Sequence, residues 1–166
     1  MSLKGPSFLS LLEKHEHLST LFLLHQEALL SLDIDLAVFR LGRFERELLT
    51  HISVEEDLLM PVYARAGRIR GGPIEFYIGE HKRMLEFLAR FNKKLEGLKE
   101  SQTNITFGII ELFDQEAQFK QLMQHHDSRE QKILYPTLDS VTNDEERKDL
   151  LARCHDWAAA CITRHH

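Results

Sequence analysis

His51 with Glu55 and His126 with Glu130 are the side chains whose types and spacing could do chemistry in this chain. Each pair heads the same pattern, first His51-Ile-Ser-Val-Glu-Glu-Asp-Leu-Leu-Met-Pro61 and then His126-Asp-Ser-Arg-Glu-Gln-Lys-Ile-Leu-Tyr-Pro136. Histidine, glutamate, an apolar pair and proline recur in register. Side chains four apart on a helix share one face, so each copy aims an imidazole and a carboxylate at a common point. A single copy is an ordinary exposed polar pair, and a short motif alone carries little weight. Two copies with the same distance from glutamate to proline are what a duplicated helical hairpin closing on a shared centre produces.

The elements that must position these groups can be read from apolar periodicity. A first helix is expected from about Ser7 to Leu32, with Phe8, Leu11, Leu18, Leu21, Phe22, Ala28, Leu29 and Leu32 on one stripe. His15 and His25 fall within that stripe, and His17 lies off it. Asp33 is placed to cap a second helix over about Leu36 to Ala66, which carries Val38, Leu41, Phe44, Leu48, Leu58 and Leu59 inward with His51 and Glu55. Pro61 is expected to kink it or close its last turns. Gly67 to Gly72 reads as a loop, and Pro73 as the first residue of a third helix reaching about Leu98. Its periodic positions are Phe76, Tyr77, Glu80, His81, Met84, Leu85, Leu88, Phe91 and Leu95.

After a turn at Ser101-Gln-Thr-Asn104, a fourth helix over about Ile105 to Thr137 turns Ile109, Leu112, Phe119, Leu122, His126, Glu130 and Ile133 inward. A fifth, shorter helix follows Asn143 to about Arg164, with Leu150, Leu151, Trp157 and Ile162 facing in. The fold class is therefore all-α, and short connections imply an antiparallel up-down-up-down four-helix bundle with an added C-terminal helix.

In an antiparallel hairpin, residues equidistant from the turn lie side by side. The residue midway between His15 and His51 is Asp33, and the midpoint of His81 and His126 falls between Thr103 and Asn104, so both histidine pairs can be level. Each half then offers one histidine from its first helix and a histidine–glutamate pair from its second. Four imidazoles and two carboxylates suit iron, manganese or zinc, and carboxylates able to bridge favour two ions over one. His15 is preferred to His17 because it lies on the apolar stripe. About 15 Å further along the helix, His25 reads as a hydrogen-bonded core histidine. His125 and His155 read as surface residues, as do Glu56, Asp57, Gln131 and Lys132. Tyr77 can be a core aromatic or a neighbour of the centre.

Composition narrows the function classes. A chain of 166 residues with 43% hydrophobic content fits one domain with one core. A net charge of −5 supplies no basic face, which argues against nucleic acid or anionic membrane as partner. No apolar run approaches the roughly 20 residues that span a bilayer, and the N-terminus lacks a secretory layout, so a cytoplasmic location is expected. Cys154 and Cys161, seven apart on one helix, stand roughly 10 Å apart and cannot bridge. His165 and His166 at the terminus are left out of the chemistry. No nucleophile stands at meaningful spacing from a base and no phosphate loop is present, so the motifs assign no turnover.

Over about residues 8 to 140 the chain resembles the hemerythrin-like, or HHE cation-binding, domains. The paired His-x-x-x-Glu-plus-proline pattern with Glu80-His81 between the copies carries the resemblance. It implies an antiparallel four-helix bundle around a non-haem centre of two iron ions. Glu55 and Glu130 would bridge, and His15, His51, His81 and His126 would be terminal ligands. Two departures bear on function. Oxygen-carrying members have a His-x-x-x-His on the third helix, whereas Tyr77 and Leu85 flank His81 here. Their second carboxylate is an aspartate five residues after its histidine, whereas Glu130 follows His126 by four.

The missing imidazole implies an open position for oxygen, peroxide or nitric oxide, and favours sensing or redox chemistry over reversible carriage. An iron-handling or stress-repair protein is the alternative, as is a structural bundle binding another metal such as zinc. A bundle without metal would have to bury six ionisable groups without an ion, which is costly. Oligomeric state stays open between a monomer and a homodimer.

Overall fold

A computed structural model describes residues 5–101 and 103–163, without the side chains of residues 161–163. The expectations for Gln102, Cys161, Ile162, Arg164, His165 and His166 therefore lie outside the described residues. Among those described there is no strand, and the protein is an all-helical bundle. A 3-10 turn at Phe8–Leu11 leads into α1 (Leu12–Leu30), and α2 (Ile34–Val54) follows a three-residue link. The same rod continues through a π-helical turn (Glu55–Leu59), α3 (Met60–Tyr63) and a 3-10 turn (Ala64–Ala66). Next come α4 (Ile74–Glu100) and α5 (Ile105–Arg129), a second π turn (Glu130–Leu134), α6 (Tyr135–Ser140) and α7 (Asp144–Thr163). α1 packs on α2, α4 on α5, and α2 on both α4 and α7. Among the described residues, no helix is long and apolar enough to cross a membrane.

The turns follow local chemistry. The Asp33 carboxylate accepts the Leu36 N–H at 3.0 Å, and Asn143 Oδ1 accepts the Glu146 N–H at 2.8 Å, so both expected caps form. Leu32, expected to continue the apolar stripe, instead stands at φ 58° and is exposed. It closes the first helix, its N–H reaching back to the Leu29 carbonyl. Pro73 sits one position earlier than expected, as the extended residue before α4.

Both π turns lie where proline follows the histidine–glutamate motif. Pro61 has no N–H for the Asp57 carbonyl, and Pro136 has none for that of Lys132. The helix widens just before each proline: Met60 N–H bonds to the Glu55 carbonyl and Tyr135 N–H to that of Glu130, five residues back. Pro61 thus does more than end its helix, because it sets a wide turn directly behind a candidate ligand. Such turns concentrate at functional sites.

The core falls into two parts. One holds Phe22, Phe44, Phe91 and Phe119 with Leu18, Leu48, Met84 and Leu122. The Phe22 ring lies 5.1 Å from those of both Phe44 and Phe119, a spacing that adds about 0.5–1.5 kcal/mol per pair beyond burial. The other holds Phe8, Leu58, Leu59, Tyr63, Tyr77, Leu134, Tyr135, Leu150 and Cys154. Leu18, Leu48, Met84 and Leu122 each lie three or four residues from a candidate histidine, on its phenylalanine-rich side. The polar layer therefore divides the core.

Besides Leu32, two positions expected to face inward do not. Phe76 is 48% exposed and lies under the Arg129 guanidinium, 5.0 Å from its ring centre. Trp157 is 38% exposed and its indole N–H donates to Ser53 Oγ, while Leu150 and Cys154 supply the buried face of α7.

His25 is a core histidine, as its position along α1 required. It is fully buried, with Nδ1 2.8 Å from the Ala37 carbonyl and Nε2 2.5 Å from Glu116 Oε1. Gln26 donates to the other Glu116 oxygen at 3.0 Å. Removing the ring leaves a fully buried carboxyl without its main partner, a loss of about 3–5 kcal/mol. We expect His25→Ala to lower the unfolding free energy, measured by denaturant titration, by that amount while leaving metal stoichiometry unchanged. A loss of bound metal in the folded variant would contradict this placement.

Candidate metal centre

The six residues singled out by spacing come together in the layer between the two core halves. His15 is on α1, His51 near the end of α2, His81 on α4 and His126 near the end of α5, while Glu55 and Glu130 open the two π turns. His15, His81, His126, Glu55 and Glu130 are buried and His51 is nearly so. Their donor atoms form two overlapping groups, each within 4.8 Å: His15, His51, Glu55 and Glu130, then Glu55, His81, His126 and Glu130. His15 lies inside this layer and His17 lies outside it. His17 is 45% exposed and reaches only Glu47, 4.0 Å away.

Each carboxylate divides its oxygens between the groups. Glu55 Oε1 is 2.8 Å from His51 Nε2, and Oε2 is 3.0 Å from His81 Nε2. Glu130 Oε2 is 2.8 Å from His15 Nε2, and Oε1 is 2.8 Å from His126 Nε2. That last approach is close but not directed, since Glu130 Oε1 has no hydrogen-bond partner.

The second group is held from outside. His81 Nδ1 lies 2.8 Å from Glu56 Oε1, and His126 Nδ1 lies 2.7 Å from Glu80 Oε2. Arg129 in turn donates to Glu80 at 3.1 Å. A neutral ring that donates its Nδ1 proton to a carboxylate presents a lone pair at Nε2. The two Nε2 atoms nevertheless face each other at 3.2 Å, with Glu55 Oε2 beside them. Three electron-rich atoms converge there, and only a cation or a proton between them makes the contact favourable. The donor set therefore fits a metal pair.

Ionisation follows the same geometry. Burial works against a charged His126 ring, but Glu130, Glu80 and Glu55 outweigh it and hold the ring well above the ordinary histidine value. His51 and His81 are likewise raised, since Glu55 more than offsets their burial. Burial would lift the Glu55 carboxyl, yet His51, His81 and His126 hold it well below the usual range. In the ion-free chain these shifts favour protonated rings beside an ionised Glu55.

Three participants escaped sequence reasoning. Glu56, read as a solvated-face residue, braces His81. Asp127 lies 3.6 Å from His15 Nδ1, which has no hydrogen-bond partner, and burial raises the aspartate's carboxyl. Tyr135 is fully buried, with its hydroxyl among His15, Glu55 and Glu130. Tyr77, weighed at the sequence level, stacks edge-on against His126 and Tyr63, and its hydroxyl bonds to none of the six. His125 and His155 are exposed, and the His125 Nε2 contacts Arg129 at 2.9 Å.

A cavity of about 190 Å³ adjoins the first group, walled by His51, Glu55, Leu59, Lys14, Leu151 and Cys154. Burial pushes the Cys154 thiol up to about 11, so it enters this wall as a small apolar group.

A buried layer of imidazoles and carboxylates crossing a helical bundle could hold cations, which points to a class of helical metal-binding domains. The family model described as the hemerythrin HHE cation binding domain matches residues 72–164, more than half of the chain. The chain belongs to that family. The match takes in His81, His126 and Glu130 and runs through α7, past the end at about residue 140 that the motif suggested. It leaves out the first hairpin with His15, His51 and Glu55. No curated protein matches the chain, and no solved structure does.

Proposed function

We propose that the protein holds two iron ions, one between His15 and His51 and the other between His81 and His126, with Glu55 and Glu130 bridging. The observation that carries this reading is the facing of the His81 and His126 Nε2 atoms at 3.2 Å, while both Nδ1 atoms are committed to Glu56 and Glu80. Such outer carboxylates fix the tautomer of a ligating ring and raise its basicity.

The antiparallel up-down-up-down arrangement belongs to the same reading. Arg40 reaches the Leu24 carbonyl at 2.7 Å and Glu27 at 2.9 Å, while Lys94 reaches Glu111 at 2.5 Å. The midpoints of these pairs fall in the two turns, as do those of the histidine pairs.

An iron pair would supply redox chemistry and a position for oxygen, nitric oxide or peroxide. The cavity beside His51 and Glu55 offers room for a small ligand, and its apolar wall limits bulk water. Binding or sensing such a ligand is the function this arrangement favours. A metal-handling role is the second reading, supported by the partly exposed Glu56 carboxylate that braces His81 and could release it to solvent.

The test is metal analysis of protein purified without oxygen, followed by visible absorption before and after air. Two irons per chain, with bands that develop in air, is the expected result. Iron that leaves rapidly to a chelator with no oxygen-dependent spectrum would favour metal handling. Zinc or no metal would overturn the iron reading.

A further inference from the structure

The two copies of the repeat differ at the residue before proline, Met60 in the first and Tyr135 in the second. Resting on the metal-centre reading, we infer that the Tyr135 phenol is a direct fifth donor to the ion held by His15 and His51.

Its oxygen lies 3.1 Å from His15 Nε2, 3.3 Å from Glu130 Oε2 and 3.4 Å from Glu55 Oε1. All three residues belong to the first donor group. An O–H···O bond prefers about 2.7–2.8 Å, so the two carboxylate approaches are long for hydrogen bonds. Donors bound about 2.0–2.2 Å from one ion stand about 3 Å apart when adjacent. The Tyr135 oxygen has that spacing. The π turn explains how it gets there: with one extra residue in the turn, Tyr135 comes back toward the face of Glu130, five residues earlier. Met60, its counterpart, brings only a thioether and packs in the apolar cluster.

Coordination would exchange the phenol proton for the ion, the proton leaving to solvent. The two positions then differ in kind. The His81/His126 position has neutral rings stiffened by Glu56 and Glu80. The His15/His51 position gains an anionic oxygen, and its His15 ring lacks a directed outer partner. A phenolate favours the higher charge of an iron ion, which opposes reversible oxygen carriage and suits a site that reports oxidation.

The full chain is loaded with ferrous iron without oxygen, oxidised with ferricyanide, and compared with Tyr135→Phe and Tyr77→Phe. Wild type and Tyr77→Phe should show a phenolate-to-iron charge-transfer band whose resonance Raman spectrum carries tyrosine ring modes. Tyr135→Phe should retain two irons and lose both band and modes. Ring-deuterated tyrosine in wild type must shift those modes, which tests the assignment without any variant. Bound iron with no tyrosine modes, or modes that survive Tyr135→Phe, would overturn the Tyr135 assignment and leave the metal centre standing. A wild-type chain that binds no metal would overturn both.

Discussion

Glu55→Ala and Glu130→Ala should each empty both metal positions, whereas His25→Ala and His125→Ala should each keep two ions per chain. The difference follows from how the carboxylates are shared. Glu55 serves His51 with one oxygen and His81 with the other, and Glu130 serves His15 and His126 likewise. Losing either one removes a donor from both groups and leaves imidazoles that repel at the shared wall. A histidine variant removes a donor from one group only, so His15→Ala or His81→Ala should fall toward one ion. Disturbing an outer partner of a ligand already costs roughly 10–100-fold in metal affinity, and a bridging ligand should cost more at both positions. Metal content measured on folded, dialysed protein decides the matter. Equal content in the Glu55, Glu130, His25 and His125 variants would sink the bridging assignment.

The buried cluster was legible because most of its members obey helix geometry. His51 with Glu55 and His126 with Glu130 share a face by spacing alone, and the midpoints of the histidine pairs fall in turns that carry their own capping signals. What stayed hidden depends on departures from regular helix. Tyr135 draws no reading of its own, because Pro136 signals a break in the helix but not the π turn that brings the ring toward Glu130. Glu56 follows Glu55 directly and so points off the apolar stripe. It still braces His81 because the neighbouring helix brings Nδ1 to it, a contact no periodicity within one helix reveals. Leu32, Phe76 and Trp157 show the opposite limit. Their positions are apolar in pattern, yet a left-handed turn, a guanidinium partner and a serine hydroxyl give each an exposed alternative.

Protons and metal should compete for this layer, so pH should drive the stabilities of the ion-free and loaded chains apart. In the ion-free chain, His51, His81 and His126 have values raised above the ordinary 6.5. Their contribution is fully present below about 6.5 and disappears as pH rises through the raised values. Asp127, also raised, acts in the same direction. Glu55 is depressed below the ordinary 4.5, so its contribution is present above that value and disappears as pH falls through the lower one. The ion-free chain should therefore be most stable between those two ordinary values and lose stability through neutral pH. Bound ions require neutral rings and ionised carboxylates, so loading releases protons and strengthens as pH rises. Calorimetric melting at about pH 5.5 and about pH 8 should show the ion-free Tm falling and the gap to the loaded chain widening. An ion-free Tm that rises across that interval would mean the histidines enter the fold uncharged, and the protons would then not be standing in for the ions.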